Sequence, residues 1–243
     1  MEVYEEKVYN ELKVWKKSMD EPPSTLGSIA KSIQIRINNL IPERIHEVMT
    51  NAIRQMTKTV IFGAHLTTVK TAHEESLSAI EEKVKDKIDV YSKTAAAEGA
   101  VTGYGGILMG MADLPLWLSI KIKLLFEIAN LYGQDLSDYK ERIYLLHIFQ
   151  LTFSRHKQRK KIFSLMKNWD KEKQKLPEDI NQFDWRNFQI EYRDYLDLAK
   201  LLQLIPGFGA FVGLYINHKL TNKLGVYAMN SYRMRLLKKS KSD

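Results

Sequence analysis

Residues Ala97–Pro115 read AEGAVTGYGGILMGMADLP, a stretch that places five glycines and two carboxylates in the most apolar part of a charged chain. From Gly99 to Ile120 the one charged side chain is that of Asp113, and this run approaches the roughly 20 residues of a membrane-spanning helix. Each glycine weakens a helix in water by about 0.5–1 kcal/mol relative to alanine. The sequence therefore indicates that something other than helix propensity stabilises this segment.

A second charge-free run, LLQLIPGFGAFVGLYINH, covers Leu201–His218 and contains Pro206 in its interior. Proline bends or ends a helix because it lacks the amide donor, so both runs predict helical hairpins or paired half-helices. Glycines four residues apart let helices approach closely in lipid, although they serve ordinary core packing equally well. The predicted packing glycines are Gly99, Gly103, Gly106, Gly110, Gly209 and Gly213.

The remainder of the chain shows helical rather than strand periodicity. Its first apolar stripe consists of Val8, Leu12, Trp15 and Met19, which have the spacing of one helix face. A second stripe, Leu77, Ile80, Val84 and Ile88, lies in a segment rich in Glu and Lys. The sequence predicts an amphipathic helix over residues 1–22 and a helical domain over 24–243. The expected fold class is all-α, a single multi-helix domain with the two glycine-rich hairpins packed together.

The charge balance favours acidic partners. The 243 residues include 37 Lys and Arg against 29 Asp and Glu, for a formal charge of +8. The absence of cysteine excludes disulfides and thiolate chemistry. The N-terminal sequence MEVYEEKVYNELKVWKK begins with acidic residues and has no apolar core, unlike a secretory signal. We therefore expect a cytoplasmic protein.

Two basic segments are candidates for contact with an anionic membrane surface. RHKQRKK at Arg155–Lys161 is followed by IFSLMKNW, and RMRLLKKSK occurs near the C terminus. Basic residues near such a surface contribute about 1 kcal/mol each, although a solvated helix face explains the same pattern. Nucleic acid is disfavoured as a partner because no recognisable nucleic-acid-binding fold accompanies these segments. The predicted membrane-binding cations are Arg155, Lys157, Arg159, Lys160, Lys161, Lys167, Arg235, Lys238 and Lys239.

The two carboxylates of the first apolar run require a partner, since an ionised acid in apolar surroundings is costly. Asp113 precedes Leu-Pro and is suited to cap a helix. Alternatively, Glu98 and Asp113 pair with arginines such as Arg142 or Arg233 and form a polar ligand site. A general acid and base role lacks a nucleophile or a supporting spacing. The sequence therefore predicts no catalytic residue, no metal site and no cofactor.

Several of these segments together resemble the EcsC family of bacterial proteins. The resemblance rests on AEGAVTGYGGILMGMADLP, EIANLYGQD, ERIYLL and KLLQLIPGFGAFVGLYINHKLTNKLGVYAMNSYRMRLL, and covers the chain from about Ile45 onward. The family-like positions are Glu98, Gly99, Gly103, Gly106, Gly110, Asp113, Pro115, Gly133, Asp135, Arg142, Tyr144, Pro206, Gly209, Asn217, Arg233 and Arg235. The resemblance carries no catalytic role for any of them.

The resemblance implies a transporter-associated role, because the family is named after a gene that neighbours those of an ABC transporter. We expect a non-enzymatic helical protein at the inner face of the cell membrane, peripheral or monotopic, accessory to an ABC transporter or a membrane-envelope process. ABC transporter subunits are candidate partners. Two alternatives remain open at this point: an enzyme or binder of a lipid or amphiphile in a cavity containing Glu98 and Asp113, and a soluble adaptor.

Overall fold

The computed structural model describes residues 3–21, 43–62, 75–103, 114–154, 156–184, 186–188, 190–191 and 210–239. Within these ranges the chain forms helices and no β-strand, which confirms the all-α fold class. The α-helices are α1 (Val3–Asp20), α2 (Glu43–Phe62), α3 (Leu77–Gly103), α4 (Leu114–Leu131), α5 (Tyr139–Phe153), α6 (His156–Lys167), α7 (Trp169–Gln174) and α8 (Ala210–Lys239). A short 3-10 helix follows at Ile180–Gln182.

Parts of the predicted hairpins lie outside the described residues. This applies to residues 104–113 and 201–209, and to Gly106, Gly110, Asp113 and Gly209 among them. Gly99 and Gly103 belong to the last turns of α3, and Gly213 belongs to the first turn of α8. Beyond residue 210, α8 continues as one helix of 30 residues.

The apolar stripes predicted for two helices are confirmed. In α1 the side chains of Val8, Leu12, Trp15 and Met19 are all buried. In α3 the side chains of Ile80, Val84 and Ile88 are buried, while Leu77 at the helix start is partly exposed. The solvated face is supplied by Glu82, Lys83, Lys85 and Lys87, which are exposed, whereas Glu81 is buried.

Helix α8 is the central element and packs mainly against α3, with further contacts to α1, α4 and α5. Gly225 of α8 lies against Ile88 of α3. A Cβ atom built at Gly225 would lie 2.4 Å from Cγ1 of Ile88. Glycine is thus required here because the Ile88 side chain occupies the space that any larger residue would fill.

Long-range contacts place the start of α4, the first half of α8 and the end of α5 at one end of the bundle. The indole N–H of Trp117 donates to Oδ1 of Asn217 over 2.6 Å, and the Trp117 ring lies 6.3 Å from the ring of Phe153. The Lys223 ammonium donates to the carbonyl of Thr152 over 3.1 Å. We call this the glycine end, because runs 104–113 and 201–209 lead directly into α4 and α8.

The opposite end, which we call the far end, gathers the start of α3 and the last turns of α4 and α8. Glu81 of α3 accepts hydrogen bonds from Arg233 of α8 and from Tyr132, which follows α4. The Tyr144 hydroxyl of α5 donates to the carbonyl of Ser231 over 3.0 Å. Helices α4 and α8 therefore run from the glycine end to the far end, while α3 and α5 run the other way.

Candidate functional site: the basic face and the buried charges

Helix α6 exposes a row of cations and directs its apolar side inward. Ile162, Phe163 and Met166 are buried, and the Phe163 ring meets the ring of Trp15 edge-on at a centroid distance of 5.6 Å. The residues on the outer side are Lys157, Lys160, Lys161 and Lys167, all of them exposed. We call these four lysines the basic face.

The basic face begins at the glycine end, because α6 follows α5 after only Ser154 and residue 155. At the start of α6 a guanidinium nitrogen of Arg159 lies 3.2 Å from Nδ1 of His156. Neighbouring Arg155 lies outside the described residues. Since the apolar side of α6 is buried in the protein, the helix offers only its charges to a partner, and attraction through it is electrostatic.

Arg235, which the sequence grouped with the membrane-binding cations, lies in the interior. Its guanidinium forms a bidentate contact with Glu141, at 2.6 and 3.0 Å, and its side chain is 13% exposed. The guanidinium carbon lies 4.6 Å from the Tyr144 ring centroid. Burial raises the pKa of Glu141, but hydrogen bonds and charge from Arg235 and Lys173 outweigh it and hold that pKa below its ordinary value. Arg235 thus stabilises the bundle. The other two predicted cations of this segment, Lys238 and Lys239, belong to the last turn of α8.

Two of the residues that were expected to form one polar ligand site lie toward opposite ends of the bundle. Arg233 binds Glu81 and Glu11 at the far end, whereas Glu98 belongs to the second half of α3, toward the glycine end. Asp113 lies outside the described residues and directly precedes the start of α4. The guanidinium of Arg142 binds the backbone carbonyls of Ile61 and Leu136.

Arg142, near the start of α5, forms hydrogen bonds with the end of α2. Its Nε and one terminal nitrogen donate to the carbonyl of Ile61 at 3.0 and 2.7 Å. The other terminal nitrogen donates to the carbonyls of Leu136 and Ser137 at 2.6 and 2.9 Å. Burial lowers the pKa of Arg142, and nearby Asp138 opposes that effect. The guanidinium satisfies carbonyls that a helix end and a turn leave open, so its role is structural.

Lys121 is a buried cation that sequence reasoning did not single out. Its side chain is fully buried, and its ammonium lies 3.8 Å from the centroid of the Trp117 ring. Among the described residues the ammonium has no hydrogen-bond acceptor. Burial lowers the pKa of Lys121 to about 7, and the charge of Glu98 opposes this shift. Glu98 is thus placed near a lysine of α4 rather than near either predicted arginine.

Exposed apolar side chains lie at the glycine end, where the basic face also begins. Leu116 in the first turn of α4 is 52% exposed, and Leu214 and Tyr215 near the start of α8 are 40% and 63% exposed. The ammonium of Lys219 lies 5.6 Å from the Tyr215 ring. An aromatic ring beside a lysine is a combination typical of the membrane–water interface.

A cavity of about 770 Å³ lies between α2 and α4. Its described lining includes the apolar residues Met56, Val60, Leu118, Ile122, Phe126 and Leu131. Lys87, Lys123 and Glu127 supply charge. Glu98 is not among the described residues that line it, and Asp113 lies outside the described residues.

The described part of the chain contains no candidate metal centre and no candidate membrane span. No group of three or more His, Asp or Glu side chains there is arranged to hold a metal ion. No helix within the described ranges combines the length and the hydrophobicity needed to cross a bilayer.

Comparison with known proteins gives one family and two relatives. The model of the EcsC protein family matches residues 6–237. The chain is 43% identical over 230 residues to "Protein EcsC" of Bacillus subtilis (strain 168), an alignment covering 94% of each chain. It is 30% identical over 144 residues to "Uncharacterized protein YdbA" of the same organism, covering 59% of this chain and 53% of the relative. No solved structure matches.

Proposed function

The chain belongs to the EcsC protein family, and from this premise we propose that it is a non-enzymatic accessory protein of the cytoplasmic membrane surface. In this proposal the glycine end contacts the membrane. The basic face attracts anionic lipid headgroups, and the glycine-rich runs with their exposed apolar neighbours enter or touch the interfacial layer.

One observation carries the proposal, which is the convergence of three features on one end of the bundle. The glycine-rich runs 104–113 and 201–209 lead into helices that start there, and the Trp117–Asn217 hydrogen bond joins those two helices. The lysines of α6 begin at the same end. Because this end combines cations with exposed apolar and aromatic side chains, it has the composition of a surface that binds anionic membranes.

The burial of the apolar side of α6 decides how the basic face would act. An amphipathic helix that inserts into lipid buries its apolar side in the acyl region, but in α6 that side packs on Trp15. The four lysines therefore supply long-range attraction that salt screens over about 8–10 Å. Any attachment that resists salt must come from the glycine-rich runs and their neighbours.

Flotation of the full-length protein with vesicles tests the proposal. We expect it to float with vesicles containing phosphatidylglycerol, and to float less with pure phosphatidylcholine or at high salt. The variant Lys157→Glu with Lys160→Glu should lose most of the binding. Lys7→Glu with Lys58→Glu, which makes the same charge change on exposed lysines away from the glycine end, should retain it.

The result decides between clear alternatives. A protein that stays unbound with anionic vesicles at low salt contradicts the proposal. Equal loss in both charge-reversed variants would show that net charge alone attracts the protein, and would also contradict it. Alkaline extraction of the floated fraction then separates peripheral attachment, which alkali releases, from entry of the glycine-rich runs into the bilayer.

The accessory role beside an ABC transporter is supported by the family resemblance and is tested separately. We expect the protein to co-purify with the membrane subunit of a transporter from detergent-solubilised membranes. Recruitment to vesicles only when that subunit is present would instead favour the soluble-adaptor alternative.

A further inference from the structure

We propose that the cavity between α2 and α4 binds one single-chain amphiphile with an anionic head group. This site is distinct from the basic face and does not depend on how the protein attaches to a membrane. The proposal rests on the size of the cavity, the apolar character of its lining and the position of its charges.

The size and lining of the cavity suit one acyl chain. Its volume of about 770 Å³ lies within the roughly 300–1,000 Å³ range of ligand pockets. It follows α4 from Pro115 to Leu131, a distance of about 24 Å at the helical rise of 1.5 Å per residue. One acyl chain spans one leaflet of the bilayer hydrocarbon, about 15 Å. The cavity is therefore long enough for a single chain.

The position of the cavity suits a ligand that comes from a membrane. Pro115 lies in the first turn of α4, so the cavity begins at the glycine end. Exposed Leu116 adjoins it in sequence. The chain of an amphiphile leaving a bilayer at this end would meet Leu118, Ile122 and Phe126, which follow one another along the same helix.

The charges in the cavity indicate the sign of the head group. The carboxylate of Glu127 accepts a hydrogen bond from the Tyr91 hydroxyl over 2.5 Å and pairs with the Lys87 ammonium at 2.7 Å. Burial raises the pKa of Glu127, but hydrogen bonds from Lys87 and Tyr91 and the charge of Lys123 outweigh it and hold that pKa below its ordinary value. Two cations thus face one carboxylate, and the exposed ammonium of Lys123 leaves a net positive charge for an anionic head group.

Isothermal titration calorimetry of the full-length protein tests the proposal with palmitate and with two palmitoyl lysophospholipids, each below its micelle-forming concentration. We expect one palmitate per chain. Anionic lysophosphatidylglycerol should bind about tenfold more tightly than zwitterionic lysophosphatidylcholine. Lys123→Glu should weaken palmitate binding by about tenfold, while Lys58→Glu, a reversal of an exposed lysine of α2 outside the cavity, should leave it unchanged.

A second test of the proposal fills the cavity with a tryptophan side chain. Ser119 and Thr59 line it and are exposed, so tryptophan at either position can enter the cavity without replacing a core residue. Ser119→Trp and Thr59→Trp should each abolish palmitate binding while keeping the circular dichroism spectrum of the parent protein. Absence of palmitate binding to the parent protein, binding that both tryptophan variants retain, or equal affinity for the two lysophospholipids would overturn the proposal.

The same variants separate this proposal from membrane attachment. Lys157→Glu with Lys160→Glu should bind palmitate normally, and the tryptophan variants should still float with anionic vesicles. A failure of one proposal therefore leaves the other standing.

Discussion

Glu81 of α3 and Arg233 of α8 form a buried ion pair between residues 152 positions apart in the sequence, with Nε of the arginine 2.6 Å from Oε1 of the glutamate. The two residues are 0% and 2% exposed. Tyr132 and Tyr4 donate hydrogen bonds to the same carboxylate, at 3.2 and 2.7 Å. Hydrogen bonds of this kind make a buried pair tolerable, because they replace the water that both charges lose.

Removing one member of this pair should destabilise the protein strongly. Arg233→Met leaves an uncompensated carboxylate in the core, and we expect a loss of about 3–5 kcal/mol in the free energy of unfolding by urea. Lys93→Gln breaks the exposed pair with Asp89 and should change stability by less than about 1 kcal/mol. The double variant Glu81→Leu, Arg233→Met should recover much of the loss. A loss below about 1 kcal/mol in Arg233→Met would contradict the burial of the pair.

Gly225→Ala should destabilise the protein although alanine is the better helix former. Helix propensity alone favours alanine by about 1 kcal/mol, but the new Cβ would lie 2.4 Å from Cγ1 of Ile88. We expect a net loss of about 1–3 kcal/mol in urea denaturation. In an Ile88→Ala background the same change should cost much less, because the obstructing atoms are gone. Additive effects of the two changes would rule out direct contact between these positions.

The free energy of unfolding should increase as the pH rises from 7 to 9, because the buried Lys121 loses its charge in this range. Its pKa is about 7 in the fold and about 10.4 in an unfolded chain, so the unfolded chain binds more protons in this window and stability rises with pH. The free-energy cost of burying the charged ammonium is fully present below pH 7. It disappears above the pKa that Lys121 has in the unfolded chain. We expect a gain of about 2 kcal/mol between pH 7 and 9.

Lys121→Met supplies the control for this pH dependence. It keeps a long side chain over the Trp117 ring but removes the titrating group. Its stability between pH 7 and 9 should vary by less than about 1 kcal/mol. A rise with pH that persists in this variant would assign the effect to another group.

Arg142→Lys should loosen the end of α2 more than the rest of the bundle. A lysine has one ammonium and cannot reproduce the forked contacts to the carbonyls of Ile61, Leu136 and Ser137. We expect a loss of about 2–3 kcal/mol in global stability. Amide hydrogen exchange should accelerate first in the last turn of α2. Uniform acceleration across all helices would contradict a local role for Arg142.

The helices could be predicted from the sequence where one apolar stripe faces the core. This holds for α1 and α3, because a solvated helix with one buried side leaves a clear 3.6-residue period. Helix α8, which is one continuous helix from Ala210 to Lys239, was predicted less well from the sequence. Its buried surface extends around the helix to meet α1, α3, α4 and α5, so its apolar residues have no simple period.

The candidate site was harder to predict from the sequence than the helices were. Residues of the same charged type are exposed at one position and buried at another. Lys157 and Lys121 are both lysines within amphipathic segments, yet one is exposed and the other is fully buried. Arg235 belongs to a basic C-terminal segment, and only its pairing with Glu141 94 positions away places it inside. Pairings of this length depend on how helices pack, which the local sequence pattern does not contain.

The central position of α8 has a consequence for synthesis of the protein on the ribosome. Helices α3 and α4 can form early, but the surface that covers them, including Arg233 for Glu81 and Asn217 for Trp117, is translated after them. At roughly 5–20 residues per second, the 30 residues of α8 require a few seconds of further synthesis. During that interval the apolar surfaces that α8 covers are exposed to water and the carboxylate of Glu81 lacks its arginine partner. Exposed apolar surface of this kind makes partly folded chains prone to aggregate.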